Sequence, residues 1–270
     1  MKIKTKIISA SVFSILVIFG FIEYTTVNDR QIFLPPADKK EEQETKKKIV
    51  EIQAPKILPP STDDFRNDFK GEIRGTSSTI LLDVPFTSQA PFGEWDDPRQ
   101  QDGCEEASVL MAIAWAREEE LNKENAKKEI LAIAEYEKNK YGSFVDTDVH
   151  DTVDRIILGY FGYEKSKAIE NITLDNIKAE LYKGNLVLVP CNGRKLGNPN
   201  YTPPGPERHM LVIRGYDPIK KEFITNDAGT RKGEGYRYQD DVLYKAIVNY
   251  PTGEHIPIKE EKKAMIVVWR

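Results

Sequence analysis

The sequence predicts an α+β domain behind a polar tail. Three observations carry that prediction: helical apolar spacing dominates residues 105–183, short β-branched runs dominate 185–269, and little before residue 79 has either pattern. With 270 residues there is room for one domain with a substantial core. The net charge of -4 supplies no large basic field, so nucleic acid is not an expected partner.

The chain opens MKIKTKIISASVFSILVIFGFIEY, three lysines followed by an apolar run at 7–22. As a helix this run reaches roughly 24 Å at about 1.5 Å per residue, short of a ~30 Å hydrocarbon core unless lysine and Tyr24 extend it. It closes on Phe-Gly-Phe-Ile-Glu-Tyr rather than on small residues that suit cleavage, and no lipid-accepting cysteine follows. Residues 1–24 are therefore expected to form an uncleaved N-terminal membrane anchor, with the remainder extracytoplasmic; a cleaved signal, giving a secreted domain, is the alternative. Residues 25–78 alternate proline pairs with mixed charge and read as a semi-extended linker. Within them, 50–57 offers a strand that Pro55 would confine to an edge.

The globular domain is expected over 79–270. TILLDVPFT, at 79–87, reads as a strand. A helix is expected at 105–119 from Ala107, Leu110, Met111 and Ala114, and a second at 125–140 from Ile130, Leu131, Ile133, Ala134 and Tyr136. Residues 148–161 and 174–183 give two more, the last stopped by Gly184. NLVLVP, HMLVIRGYD, EFITND and AMIVVW follow as strands, with a hairpin turn at 217–221 between the second and third. A helical half followed by an antiparallel sheet leaves a cleft between the two.

Cys104 stands where chemistry is expected. Asp102 and Glu105 fit an aspartate capping box, which would make Gly103 the first helical residue and Cys104 the second. Free N–H groups and the positive end of the helix dipole favour a thiolate there. Position alone does not distinguish a nucleophile from a small buried side chain. An imidazole would, and there are three. His255 in a polar turn and His150 on an acidic helix start read as solvated surface residues. His209 opens a strand directly after the proline-rich loop at 198–208, so it can face the cleft. One hairpin further, EFITNDAGT carries Asn226 and Asp227, where a carboxylate can fix the imidazole tautomer. An oxyanion donor besides the Cys104 N–H would come from Gln89, Gln100 or Gln101. Glu105 and Glu106 favour the helix start, yet near a thiolate they oppose its ionisation.

VPFTSQ at 84–89, GCEEASVLMA around Cys104, HMLVIRGYD and ITNDAGT together resemble the C39-like cysteine peptidases of the papain-like superfamily, over about 81–250. The resemblance implies a papain-like fold and peptide-bond hydrolysis through a thioester. Matched position by position, it implies Cys104 as nucleophile, His209 as general base, Asp227 as the orienting acid and Gln89 as oxyanion donor, with Gln101 a rival for the last role. It implies a peptide or protein substrate; no cofactor is expected.

Five other readings compete. A Cys104–Cys191 disulfide would remove the nucleophile, although a domain of this size needs no lone bridge. Zinc finds no short paired ligand spacing. Transglutaminase-like and cell-wall-hydrolase families place their cysteine and histidine closer in sequence, and a transporter-linked leader peptidase would need separate export partners. The non-enzyme alternative is a tethered binding or adhesion module that keeps the scaffold without turnover. Trp115 is expected in the core and Trp95 at the cleft. Oligomeric state is not legible.

Overall fold

The structure, a computed structural model, describes residues 78–270. The expected anchor at 1–24, the linker up to residue 77 and the strand at 50–57 lie outside these residues. Among the described residues no helix is long and apolar enough to cross a membrane.

Strand β1 is only Ile80–Leu81, shorter than the strand expected over 79–87. Pro85 has no N–H to give a ladder. The Val84 and Pro85 carbonyls are met instead by the Asn226 side-chain amide, at 3.1 and 3.3 Å. Helix α1, Pro98–Gln101, starts where Asp97 accepts the Arg99 N–H and proline fills the first position, where its missing donor costs nothing. Helix α2, Cys104–Arg117, then begins one residue later than the capping box predicts. Asp102 is taken up as the end of α1, its N–H bonded to the Pro98 carbonyl at 3.0 Å, and Gly103 is the N-cap of α2 with no side-chain cap. A Cβ on Gly103 would stand 2.6 Å from the Arg99 oxygen and 3.2 Å from Ile130, so the tight turn between α1 and α2 admits only glycine. Cys104 is consequently the first residue of its helix, not the second.

Helix α3, Lys123–Tyr141, is capped by Asn122. Helix α4, Val149–Asp151, is capped by Asp148 and runs on as a π-helix over Thr152–Tyr160, a local widening the apolar spacing of 148–161 does not disclose. Strand β2, Ser166–Glu170, was not expected from its mixed composition. Helix α5, Leu174–Tyr182, carries a capping box between Thr173 and Asn176. Strand β3, Leu186–Cys191, leads through the short helix α6, Gly193–Leu196, to β4, His209–Asp217. Strands β5, Glu222–Asn226, and β6, Tyr236–Gln239, precede helix α7, Asp240–Ala246, and β7, Ala264–Val268, is the last strand in sequence.

The sheet is antiparallel throughout, in the order β2-β7-β3-β4-β5-β6, with β1 paired to the far end of β4. Every residue of β3 and β4 is buried, as befits central strands covered on both faces. Leu188, Met210, Val212 and Ile266 pack under α2 and α3 with Met111 and Ile130. Val189, Leu211, Ile213 and Val267 pack on the other side with Ile177, Leu181 and Leu243 of α5 and α7. Each such aliphatic side chain contributes roughly 1.5–3 kcal/mol by leaving water. The two halves are thus less segregated than expected: α2 and α3 cover one face, while α5 and α7 cover the other.

Candidate active site

The site is assembled where the first turn of α2 meets the starts and ends of central strands. Ser108, one turn along α2 from Cys104, donates its hydroxyl to the Met210 carbonyl at 3.1 Å. That bond pins the cysteine-bearing end of the helix beside the residue that follows His209. The chain segment before α1 is tied to the same place: the Gln89 N–H donates to the Ala228 carbonyl at 3.0 Å, one residue past Asp227.

His209 and Asp227 meet. The ring Nε2 lies 2.8 Å from Asp227 Oδ1, and both side chains are buried. The pairing leaves Nδ1 as the second ring nitrogen. Tyr201 packs edge-on against the imidazole with centroids 5.6 Å apart, and a Cβ on Gly229 would approach His209 Cε1 to 2.9 Å, so glycine there leaves room for the ring. Asp227 accepts five hydrogen bonds: from His209, from the Gly229 N–H at 3.0 Å, from the Tyr201 and Tyr238 hydroxyls at 2.6 Å each, and from Asn198 at 3.3 Å. Burial alone would push its carboxyl up, but the His209 charge and hydrogen bond and the two tyrosines outweigh burial and hold it below its usual range.

The cysteine is arranged differently. Cys104 is buried, and its thiol donates to Glu105 Oε2 at 2.9 Å rather than to His209. Burial pushes the thiol well above its usual range, and the charges of Glu105 and Glu106 add to this; a backbone hydrogen bond from Met210 opposes them. Glu105 and Glu106 both point inward and are buried. Glu105 is satisfied by Cys104, Tyr250 and Thr147. Both carboxyl oxygens of Glu106, and both of Glu137 on α3, have no hydrogen-bond partner.

Gln89 reaches the site with its donors already in use. Its Nε2 donates to the Gln100 carbonyl at 3.0 Å and the Gln101 carbonyl at 2.8 Å, while Oε1 has no partner. Reversing the amide would set its oxygen against two carbonyls, so this orientation is fixed by its surroundings. Gln101, the rival, is exposed and contributes its carbonyl rather than its amide, whereas Gln100 is buried.

Both cysteines are free: Cys191 is buried at the end of β3, directly opposite His209 in the β3–β4 pair. Among the described residues no group of three or more histidine, cysteine or acidic side chains is placed to hold a metal ion. His150 and His255 are exposed, although His255 Nδ1 lies 3.0 Å from Asp146 Oδ2. Trp115 is core and Trp95 is half-buried. Sequence reading missed Asn198, Tyr201 and Tyr238 as partners of Asp227. The first two lie in the proline-rich loop that leads into His209, but nothing in Tyr-Arg-Tyr-Gln at 236–239 announced a strand, let alone a tyrosine aimed at the acid.

An α+β domain with a cysteine opening a buried helix and a histidine–aspartate pair at neighbouring strand ends has a cysteine peptidase-like fold. The chain belongs to the Peptidase_C39 like family, whose model matches residues 81–252. Among solved structures it is similar to a Bacillus anthracis protein provisionally described as a C39-like peptidase, at 15% identity and a TM-score of 0.46, covering 72% of this chain and 98% of that one. No curated protein matches the sequence.

Proposed function

We propose that the protein is an extracytoplasmic cysteine peptidase that hydrolyses peptide bonds through a Cys104 thioester. The observation that carries this reading is the buried His209–Asp227 pair, because a carboxylate held ionised on Nε2 leaves Nδ1 as the basic nitrogen of the ring. His209 takes the Cys104 proton, the sulfur attacks the substrate carbonyl, and the proton passes to the leaving amine. Water then attacks the thioester with His209 again as base. The Cys104 N–H, at the unsatisfied start of α2, is one donor to the oxyanion. Gln89 is the other, releasing one of its two backbone carbonyls as the substrate oxygen arrives. The substrate is a peptide or protein, met outside the membrane that residues 1–24 anchor to or are secreted across.

The test is a single-turnover assay of the full-length chain on an amide-substrate library, with intact-mass detection of an acyl group on Cys104. The expected result is an adduct on the wild-type chain, lost in Cys104→Ala, with turnover reduced by about 10³-fold or more. A chain that forms no adduct on any substrate, and whose biological effect survives Cys104→Ala, would be a binding module instead.

A further inference from the structure

Glu105 is built into the site rather than lying near it. Its Oε2 accepts the Cys104 thiol at 2.9 Å. Its Oε1 accepts the Tyr250 hydroxyl at 2.7 Å and the Thr147 N–H at 3.4 Å, from segments 145 and 42 residues away in sequence. Glu105 and Tyr250 are both buried, so three distant parts of the chain converge to fix one carboxyl on the sulfur. A thiolate formed at that distance from a carboxylate would set two like charges in contact at a buried position, where their repulsion is least screened.

The other groups facing Glu105 do not relieve this. Glu106 lies on its own helix, Asp146 approaches from the 142–148 segment, Glu137 from α3 and Tyr250 from the C-terminal segment, none of them a cation. The Arg208 guanidinium at 3.3 Å and the His255 ring at 3.0 Å are engaged with Asp146. What favours a thiolate is the start of α2 and the Met210 hydrogen bond.

We propose that Glu105 is a further catalytic residue, which holds the Cys104 proton in the resting protein and releases it to His209 only when Glu105 is itself neutral. The inference rests on the proposed role of His209. Glu105 becomes neutral by taking a proton from bulk water; in the releasing step the S–H bond then breaks, its electron pair stays on sulfur, and the proton bonds to His209 Nδ1 while Nε2 keeps its hydrogen bond to Asp227. A neutral Glu105 can then donate its own O–H to the thiolate it formerly repelled.

The experiment measures iodoacetamide labelling of the full-length chain from pH 5 to 9, with mass spectrometry separating Cys104 from Cys191. Glu105→Gln keeps an acceptor for Tyr250 and Thr147, and places an amide donor near the sulfur. It should label Cys104 at least about tenfold faster at pH 7, with the midpoint moved to lower pH by about one unit or more. Glu105→Asp, which keeps the charge, should stay slow. If Glu105→Gln folds poorly by circular dichroism, Tyr250→Phe removes only the hydroxyl that fixes the carboxylate and should accelerate labelling by a smaller factor. Labelling of Glu105→Gln, or of Tyr250→Phe in its place, within twofold of wild type at an unchanged midpoint overturns the proposal.

Adding His209→Ala separates this inference from the reading beneath it. Acceleration lost in the double variant supports both. Acceleration kept supports Glu105 as the proton holder and removes His209 as the base. Slowing by His209→Ala in the wild-type background, with no effect of Glu105→Gln, leaves His209 in place and rejects Glu105.

Discussion

Two sets of buried carboxyls flank the cysteine, and the fold treats them in opposite ways. On the sheet side Asp227 collects five donors and is held below its usual range, so it remains an anion in a place without solvent. On the helix side Glu106 and Glu137 collect none, and burial pushes both up, Glu137 to about 8, each further raised by a neighbouring carboxylate. The chemistry of the side chain is nearly the same. The charge interaction with His209 and the hydrogen bonds together decide whether burial yields a charge or a neutral acid. The side that must orient an imidazole has the charge; the side that supports the first turn of α2 has the neutral pair.

The largest expected effect comes from erasing that difference at Asp227. Asp227→Asn leaves the Tyr201 and Tyr238 hydroxyls facing an amide and removes the charge that fixes the imidazole. Amide hydrolysis should fall by roughly 10³-fold or more, and stability by about 3–5 kcal/mol, as expected when one partner of a buried pair is lost. Denaturant unfolding and single-turnover acylation, measured on the same preparation, separate the two losses. Acylation within tenfold of wild type would mean that the imidazole is oriented by Tyr201 packing and the Gly229 turn alone.

The next effect tests the helix side through pH. Because the folded-state value of Glu137 lies above its ordinary 4.5, the folded chain holds a proton that the unfolded chain has released across the window from about 4.5 to about 8. Stability from this group is therefore complete below that window and is lost as pH rises through it. Asp227 runs the other way: its value is below the ordinary 3.8, so its contribution is present above that pH and is lost on acidification. Glu137→Gln should flatten the alkaline limb of stability against pH, gaining on the order of 2 kcal/mol at pH 8.5, and leave the acid limb unchanged. An unchanged alkaline limb would show that Glu106 and Glu137 are relieved by water or by local opening.

Much of the sheet side was legible in the sequence, and much of the helix side was not. HMLVIRGYD is one buried run bounded by a proline loop and a turn, and β4 follows it residue for residue. The placement of His209 and Asp227 needed only a strand start, a hairpin and a strand end. Strand β6 escaped because Tyr-Arg-Tyr-Gln has no apolar alternation, and its pairing with β5 supplies the order that propensity does not. On the helix side, Glu137 continues the stripe of Ile130 and Ile133 at helical spacing, so its burial was foreshadowed by position and masked by its charge. Glu105 and Glu106 offered no such cue. Their inward direction follows from α1 consuming Asp102, which sets the phase of α2, and from Tyr250, a partner 145 residues away.

The smallest effect asks whether the donors on Asp227 are interchangeable. The Tyr238 hydroxyl gives its proton to Asp227 Oδ2 at 2.6 Å and accepts one from Asn198 at 2.7 Å. Tyr238→Phe keeps the ring against Tyr236 and removes both of these bonds. Four donors remain on the carboxylate, and Asn198 keeps its own bond to Oδ2, so no buried group is left without a partner. The loss should be about 1–2 kcal/mol of unfolding free energy at pH 7, since the hydroxyl makes two hydrogen bonds of roughly 0.5–1.5 kcal/mol net each. With one donor fewer the Asp227 carboxyl also moves back toward its usual range, so the acid limb should begin at a slightly higher pH while the alkaline limb stays in place. A cost as large as that of Asp227→Asn would mean that the five donors act as one unit, with the two tyrosines and Asn198 cooperating to hold the charge. A cost of only about 1–2 kcal/mol would mean that the ion is over-satisfied, and that the contrast with Glu106 and Glu137 lies in having the His209 interaction and any donors rather than in having all five.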